Sequence, residues 1–181
     1  MRTVVILLAL LGLARSAAAQ ESSAVRVYES HADAAITEGE TTLSIEASTA
    51  YAAATDYQQW TSIFPDIARV VVTKQSGVDA FVTLIHADGN RDNVHFHNQP
   101  QRHTVWFEDT GGRAEVWAEL VFAPGADAGT TRAHLRLYAD VHGVASWFVS
   151  DRKLRGMRQQ RVRHDLASLR TYFTASVATA R

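Results

Sequence analysis

The chain has no cysteine among its 181 residues. That excludes a disulfide framework and a thiolate-ligated metal, and it leaves no cysteine after the N-terminal apolar run for lipid attachment. Charge of one sign is also lacking. The formal net charge is −1, which gives no electrostatic case for binding nucleic acid. The apolar run over residues 4–13 is too short to span a bilayer comfortably. No nucleophile elbow, H-E-x-x-H or phosphate loop occurs. Serine, histidine and aspartate are scattered, without a spacing that recommends a triad. There is no internal repeat and no low-complexity tract.

What is present reads as one globular domain. Apolar residues make up 46% of the chain and charged residues 20%, enough for a sizeable core. The N-terminus carries Arg2, the apolar run, and Ala17-Ala18-Ala19 before Gln20. This is the pattern of a secretory signal peptide over residues 1–19. The competing reading is a retained membrane anchor, which the shortness of the run and its small-residue ending disfavour. Losing Arg2 and Arg15 with the leader leaves 16 of the 18 basic residues against 19 acidic ones, a net charge of −3. A cysteine-free exported chain fits a periplasmic or secreted location.

Residues 20–40 lack strong periodicity and are expected to form a loosely ordered arm, with a short structured piece near 25–28. From Thr41 the pattern is regular. Polar and apolar residues alternate over 42–47, the mark of a strand. Ser48 or Thr49 is placed to cap a short helix over 50–55. A second short helix over 57–63 is ended by Pro65. Strands follow over 67–74, 80–87, 93–98, 102–108, 114–123 and 131–141. Ser76-Gly77, Asp88-Gly89-Asn90 and Asp109-Thr110-Gly111-Gly112 supply the turns. Residues 144–176 contain no proline and one glycine, and Val144, Trp147, Phe148, Leu154, Val162, Leu166, Leu169 and Phe173 fall on one helical stripe. The order is α+β: seven strands, six of them in an unbroken meander, with two short helices after the first and one long helix to cover the apolar face.

The segment "AYAAATDYQQWTSIFPDIARVVVTKQSG", the Leu120-x-Phe122-x-Pro124 pattern and the long closing helix together resemble the START-like (SRPBCC) helix-grip superfamily. That group includes polyketide cyclases, coenzyme-Q-binding START proteins and the major birch-pollen allergen group. The resemblance covers roughly residues 41–175, within a domain expected over 41–176. It implies a curved antiparallel sheet gripping the C-terminal helix, with an apolar cavity between them. It says little about the ligand, because members range from lipid carriers to cyclases and hydrolases.

Alternation assigns the candidate lining. Val116, Ala118, Leu120 and Phe122 share one strand face, and Leu135 and Leu137 lie on the matching face of the next strand. Alanines at 118, 133 and 139 leave room where a filled core would want bulk. The opposing reading is that Trp147 and Phe148 fill that room. Trp60 reads as core, and Phe64 as core or cavity border. On the closing helix, Leu154 and Val162 belong to the stripe, while Asp151, Arg155 and Arg158 fall on it or beside it. Charges there need pairing or water. The two arginines either meet a ligand carboxylate or phosphate or reach solvent along their stems. The basic run "RKLRGMRQQRVRH" is a solvated face or a contact for anionic membrane lipid. His95 and His97 share a strand face, and with His103 they raise a weak zinc hypothesis. Alternation alone does not say whether they face the cavity or solvent. His86, His95, Arg158 and Asp151 are the loose candidates for acid–base work.

The expectation is therefore a cofactor-free, non-enzymatic binding or transport protein for an apolar small molecule or lipid. The alternative is a cyclase- or hydrolase-like enzyme on the same fold.

Overall fold

A computed structural model describes residues 24–111, 115–140 and 150–179. The expected leader, Trp147 and Phe148 lie outside the described residues. The chain forms β1 (Val25–Glu29), β2 (Ile36–Leu43), α1 (Ala47–Thr55), a 3-10 turn (Tyr57–Gln59), α2 (Trp60–Ile63) and β3 (Ile67–Ser76). It continues as β4 (Asp79–His86), β5 (Arg91–Gln99), β6 (Thr104–Asp109), β7 (Glu115–Pro124), β8 (Thr131–Asp140) and α3 (Asp151–Thr179). The described strands make one antiparallel sheet in the order β1-β2-β8-β7-β6-β5-β4-β3. This is the α+β helix-grip architecture, with the meander from β3 to β8 as expected.

The sheet has eight strands, not seven. Residues 25–29 and 36–43, expected in large part to belong to a loose arm, form a hairpin that pairs with β8. Hydrophobic alternation does not reveal β2 because its inward positions are Thr37, Gly39 and Thr41, with only Leu43 apolar. The helix lies so close there that a Cβ on Gly39 would stand 2.5 Å from Val162 Cγ1 and 2.9 Å from Leu166 Cδ1. Thr41 Oγ1 donates to the Ala24 carbonyl. The first helix also differs from expectation. It begins at Ala47 behind Glu46, with no side-chain cap from Ser48 or Thr49.

One end of the curved sheet is solid. Trp60 packs on Phe64 and Phe96, each at a ring separation of 5.0 Å, and its indole N–H donates to the Ala54 carbonyl. Ala47, Ala50 and Ala54 of α1 are buried, their small side chains admitting close approach. The second half of α3 covers this end with Val162, Leu166, Leu169 and Phe173, all 2% exposed or less. Each such side chain contributes about 1.5–3 kcal/mol by leaving water.

The first half of α3 is different in kind. Leu154 is half-buried, Arg155 is exposed, and Arg158 is buried. Arg158 Nη1 donates to the Ala139 carbonyl, Nη2 to the Ala34 carbonyl, and Nε to Thr37 Oγ1. The apolar plug thus occupies one end of the sheet, and the helix turns polar toward the other.

Candidate functional site: a polar-rimmed cavity at the open end of the sheet

At that open end lies a cavity of about 970 Å³. Its walls include Asp66 from the corner before β3, His86 at the end of β4, Asp92 near the start of β5, Asp109 at the end of β6, and Arg161 of α3. The β4–β5 turn, held by Asp88 accepting from the Asn90 N–H and side-chain amide, forms one lip.

Strand parity explains the placement. Two residues inward from His86, Asp92 and Asp109, on the same faces, stand Leu84, Val94 and Phe107. The open end therefore has a rim of ionisable side chains backed by an apolar ring. Val116 of β7 is half-buried and packs against the same core.

Apart from Asp109, the rim residues belong to one connected network of hydrogen bonds and ion pairs. His86 Nε2 is 2.8 Å from Asp92 Oδ2, and its Nδ1 is 3.6 Å from Asp66 Oδ2. Arg161 Nη1 donates to Asp66 Oδ2 at 3.0 Å, and its Nε to Asp165 Oδ2 at 2.9 Å. His164 Nε2 lies 3.4 Å from Asp66 Oδ1. Burial works against the Asp66 carboxylate, yet Arg161 and the His164 hydrogen bond outweigh it and hold the carboxyl below its ordinary value. Burial pushes Asp165 up to about 6, and Arg161 offsets only part of that cost. One Asp165 oxygen, Oδ1, is buried without a hydrogen-bond partner. Burial disfavours the charge on Arg161, but Asp165 and Asp66 more than compensate, so its guanidinium is held above its ordinary value.

The residues nominated from sequence fall elsewhere. Phe64, Ala118, Leu120, Phe122, Leu135, Leu137 and Val162 are buried in the packed core, and none of them lines the cavity. Arg155 sits on the β1 side, 3.8 Å from Glu29. Arg158 is not on the cavity wall; it is held by two backbone carbonyls and Thr37, with Glu29 Oε2 3.9 Å from its Nη2. Leu154 and Val116 are half-buried at the margins. Of the loose acid–base candidates, only His86 lies on the cavity wall. Asp66, Asp92, Asp109 and Arg161 were missed. Their signal was available: each strand aspartate continues the inward parity of an apolar run past the point where the run ends.

His95 and His97 lie on the outer sheet face, where both share Asp79 Oδ1 at 3.0 Å and His95 stacks on Phe81. His103 is apart from them, its ring 5.6 Å from Tyr51. Among the described residues no group of His, Asp and Glu is arranged to hold a metal.

Residues 34–174 match the family described as polyketide cyclase/dehydrase and lipid transport. No curated protein matches the sequence. Among solved structures, a protein from Thermus thermophilus is 16% identical with a TM-score of 0.67, covering 78% of this chain and 98% of its own. The Zhui aromatase/cyclase from a Streptomyces species is 15% identical with a TM-score of 0.62, covering 87% and 96%. A STAR-related lipid transfer protein from Xanthomonas axonopodis is 13% identical with a TM-score of 0.62, covering 83% and 94%. At these identities the likeness concerns the fold alone.

Proposed function

Because this chain belongs to the polyketide cyclase/dehydrase and lipid transport family, we propose that it is an exported, non-enzymatic binding protein for an amphiphilic small molecule such as a lipid, quinone or polyketide. The observation that carries this reading is the cavity of about 970 Å³ walled by ionisable side chains, with the core residues Leu84, Val94 and Phe107 standing two positions inward on the same strand faces. A ligand's polar end would meet His86, Asp92 and Arg161 on the cavity wall, and its apolar body would enter by parting the core side chains behind them, Leu84, Val94 and Phe107. Apolar contact supplies most of the affinity at about 25 cal/mol per Å² buried, and the few polar groups fix orientation. The leader-like residues 1–19 support export to the periplasm or beyond.

The test is native mass spectrometry of the protein isolated from the exported fraction of its own host. A single co-purified amphiphile is expected. Protein that carries none, and takes up none from a total lipid extract, contradicts the proposal.

One arrangement favours a second reading, a cyclase- or dehydrase-like enzyme. Asp92 fixes the His86 ring through Nε2, while Nδ1 has only the looser 3.6 Å approach to Asp66. A histidine oriented by a carboxylate at a cavity wall can pass a proton to or from a bound substrate. Turnover of a bound polyketide that His86→Asn abolishes, with binding retained, would select this reading over the carrier.

A further inference from the structure

The solvent side of α3 carries a chemistry that the cavity does not use. Arg152, Lys153, Met157, Gln160 and Arg163 are all exposed there. Met157 is 56% exposed, more than either other exposed large hydrophobic side chain, Val78 at 37% and Phe81 at 38%. Beside it Gly156 has open space, with nothing within 4 Å of where a Cβ would be.

The basic residues of this helix divide into two groups. Arg158 is held by carbonyls, Arg155 lies 3.8 Å from Glu29, and Arg161 is neutralised by Asp66 and Asp165. Among the described residues, Arg152, Lys153 and Arg163 make no ion pair. The one acidic residue of this stretch, Asp151, is two positions from Lys153 and so lies about 200° around the helix from it. The face is therefore cationic with an exposed apolar side chain, Met157, at its edge about 40° from Lys153, in a chain whose net charge is only −1.

We propose that the exposed face of α3 from Arg152 to Arg163 docks on an anionic lipid surface. Unpaired cations beside a protruding flexible thioether match such a surface on both counts. Each lysine or arginine near an anionic leaflet adds to the attraction. Met157 leaves water by entering the headgroup boundary. The long basic stems lie along the interface with their charged ends toward phosphates. Arg161, on the cavity wall, belongs to the same three turns, so docking brings the cavity's rim beside the lipid. The proposal rests on the carrier reading for its purpose, but the docking itself does not depend on it.

The experiment is co-sedimentation with vesicles of phosphatidylcholine alone and of phosphatidylcholine with phosphatidylglycerol. Wild-type protein sediments with the phosphatidylglycerol vesicles at low salt, stays in solution with phosphatidylcholine alone, and is released as salt rises. The triple variant Arg152→Glu/Lys153→Glu/Arg163→Glu loses at least tenfold in vesicle affinity, and Met157→Asp loses severalfold. Circular dichroism and binding of a soluble fluorescent amphiphile remain as in wild type for both variants, since none of these side chains reaches the cavity. Wild-type protein that ignores phosphatidylglycerol, as it would if this face instead met an acidic protein, overturns the proposal. So does a triple variant that sediments as wild type does. Loss of amphiphile binding by the wild type, with vesicle binding intact, would count against the carrier reading and leave the docking surface standing.

Discussion

Arg161 Nη1 lies 3.0 Å from Asp66 Oδ2 and its Nε lies 2.9 Å from Asp165 Oδ2, so one guanidinium joins the closing helix to the corner that leads into β3. The cavity wall and the helix anchorage thus share a residue. Replacing it with an apolar side chain leaves Asp165 buried without its partner. Arg161→Met should cost about 1–3 kcal/mol, because Asp165 loses its partner while the 41% exposed guanidinium side chain was already partly screened by solvent. The double variant Arg161→Met/Asp165→Asn should recover a large part. Urea denaturation of the two proteins checks this.

Asp165 also sets a pH dependence. Its folded-state value is about 6, against about 3.9 for an unperturbed aspartate. Between those values the folded protein binds the proton and the unfolded chain does not. Stability contributed by this group therefore rises as pH falls from about 7 to about 4. Asp165→Asn should flatten that part of the profile, so that the wild type gains on the variant as the solution is acidified. Denaturation midpoints at about pH 7, 6 and 5 for both proteins test the sign.

Arg158 is a structural fastener, and its loss should act on stability alone. Its three hydrogen bonds reach Ala34, Thr37 and Ala139, tying the β1–β2 hairpin and β8 to the helix. Arg158→Ala should cost about 3 kcal/mol through stranded buried acceptors. Arg158→Lys should restore only part of it, because one ammonium cannot span three acceptors set for a planar fork. Thermal denaturation measures the loss, and amphiphile affinity below the melting range should be unchanged.

Gly39 is required by proximity. Its ideal Cβ would meet Val162 Cγ1 at 2.5 Å. Gly39→Ala should destabilise by about 1–3 kcal/mol, the common range for overpacking. Gly39→Ala/Val162→Ala should be less destabilised than the sum of its two singles. A double-mutant cycle reads that coupling directly.

The architecture was legible in the sequence where periodicity and turn chemistry agreed. The meander from β3 to β8 announced itself through alternation and through the Gly77 and Gly89 turns. Both glycines adopt positive φ, 59° and 87°. The closing helix was legible from Leu154 to Phe173 through its stripe. The β1–β2 hairpin was not, because the face that touches the helix is Thr-Gly-Thr, and burial there depends on the nearness of Val162 and not on apolar side chains. The same blindness separates the nominated residues from the open cavity. Alternation identifies which residues face inward, but it does not tell filled volume from empty volume. Ala118 is 1% exposed and packed, although its small size suggested a hollow. The open volume lies further along the same face, where inward positions become His86, Asp92 and Asp109.

That distinction fixes where the cavity should be probed. Ala118→Trp would disrupt solid core, whereas Ala87, exposed in the turn after β4, lies on the cavity wall. The most direct measurement is titration of wild-type and Ala87→Trp protein with a neutral, environment-sensitive fluorescent amphiphile, with the fold of both confirmed by circular dichroism. Saturable binding at one site by the wild type, lost or weakened at least tenfold in Ala87→Trp, is the predicted result. Equal binding by the two folded proteins, or none by the wild type, would contradict a ligand site at this end of the sheet.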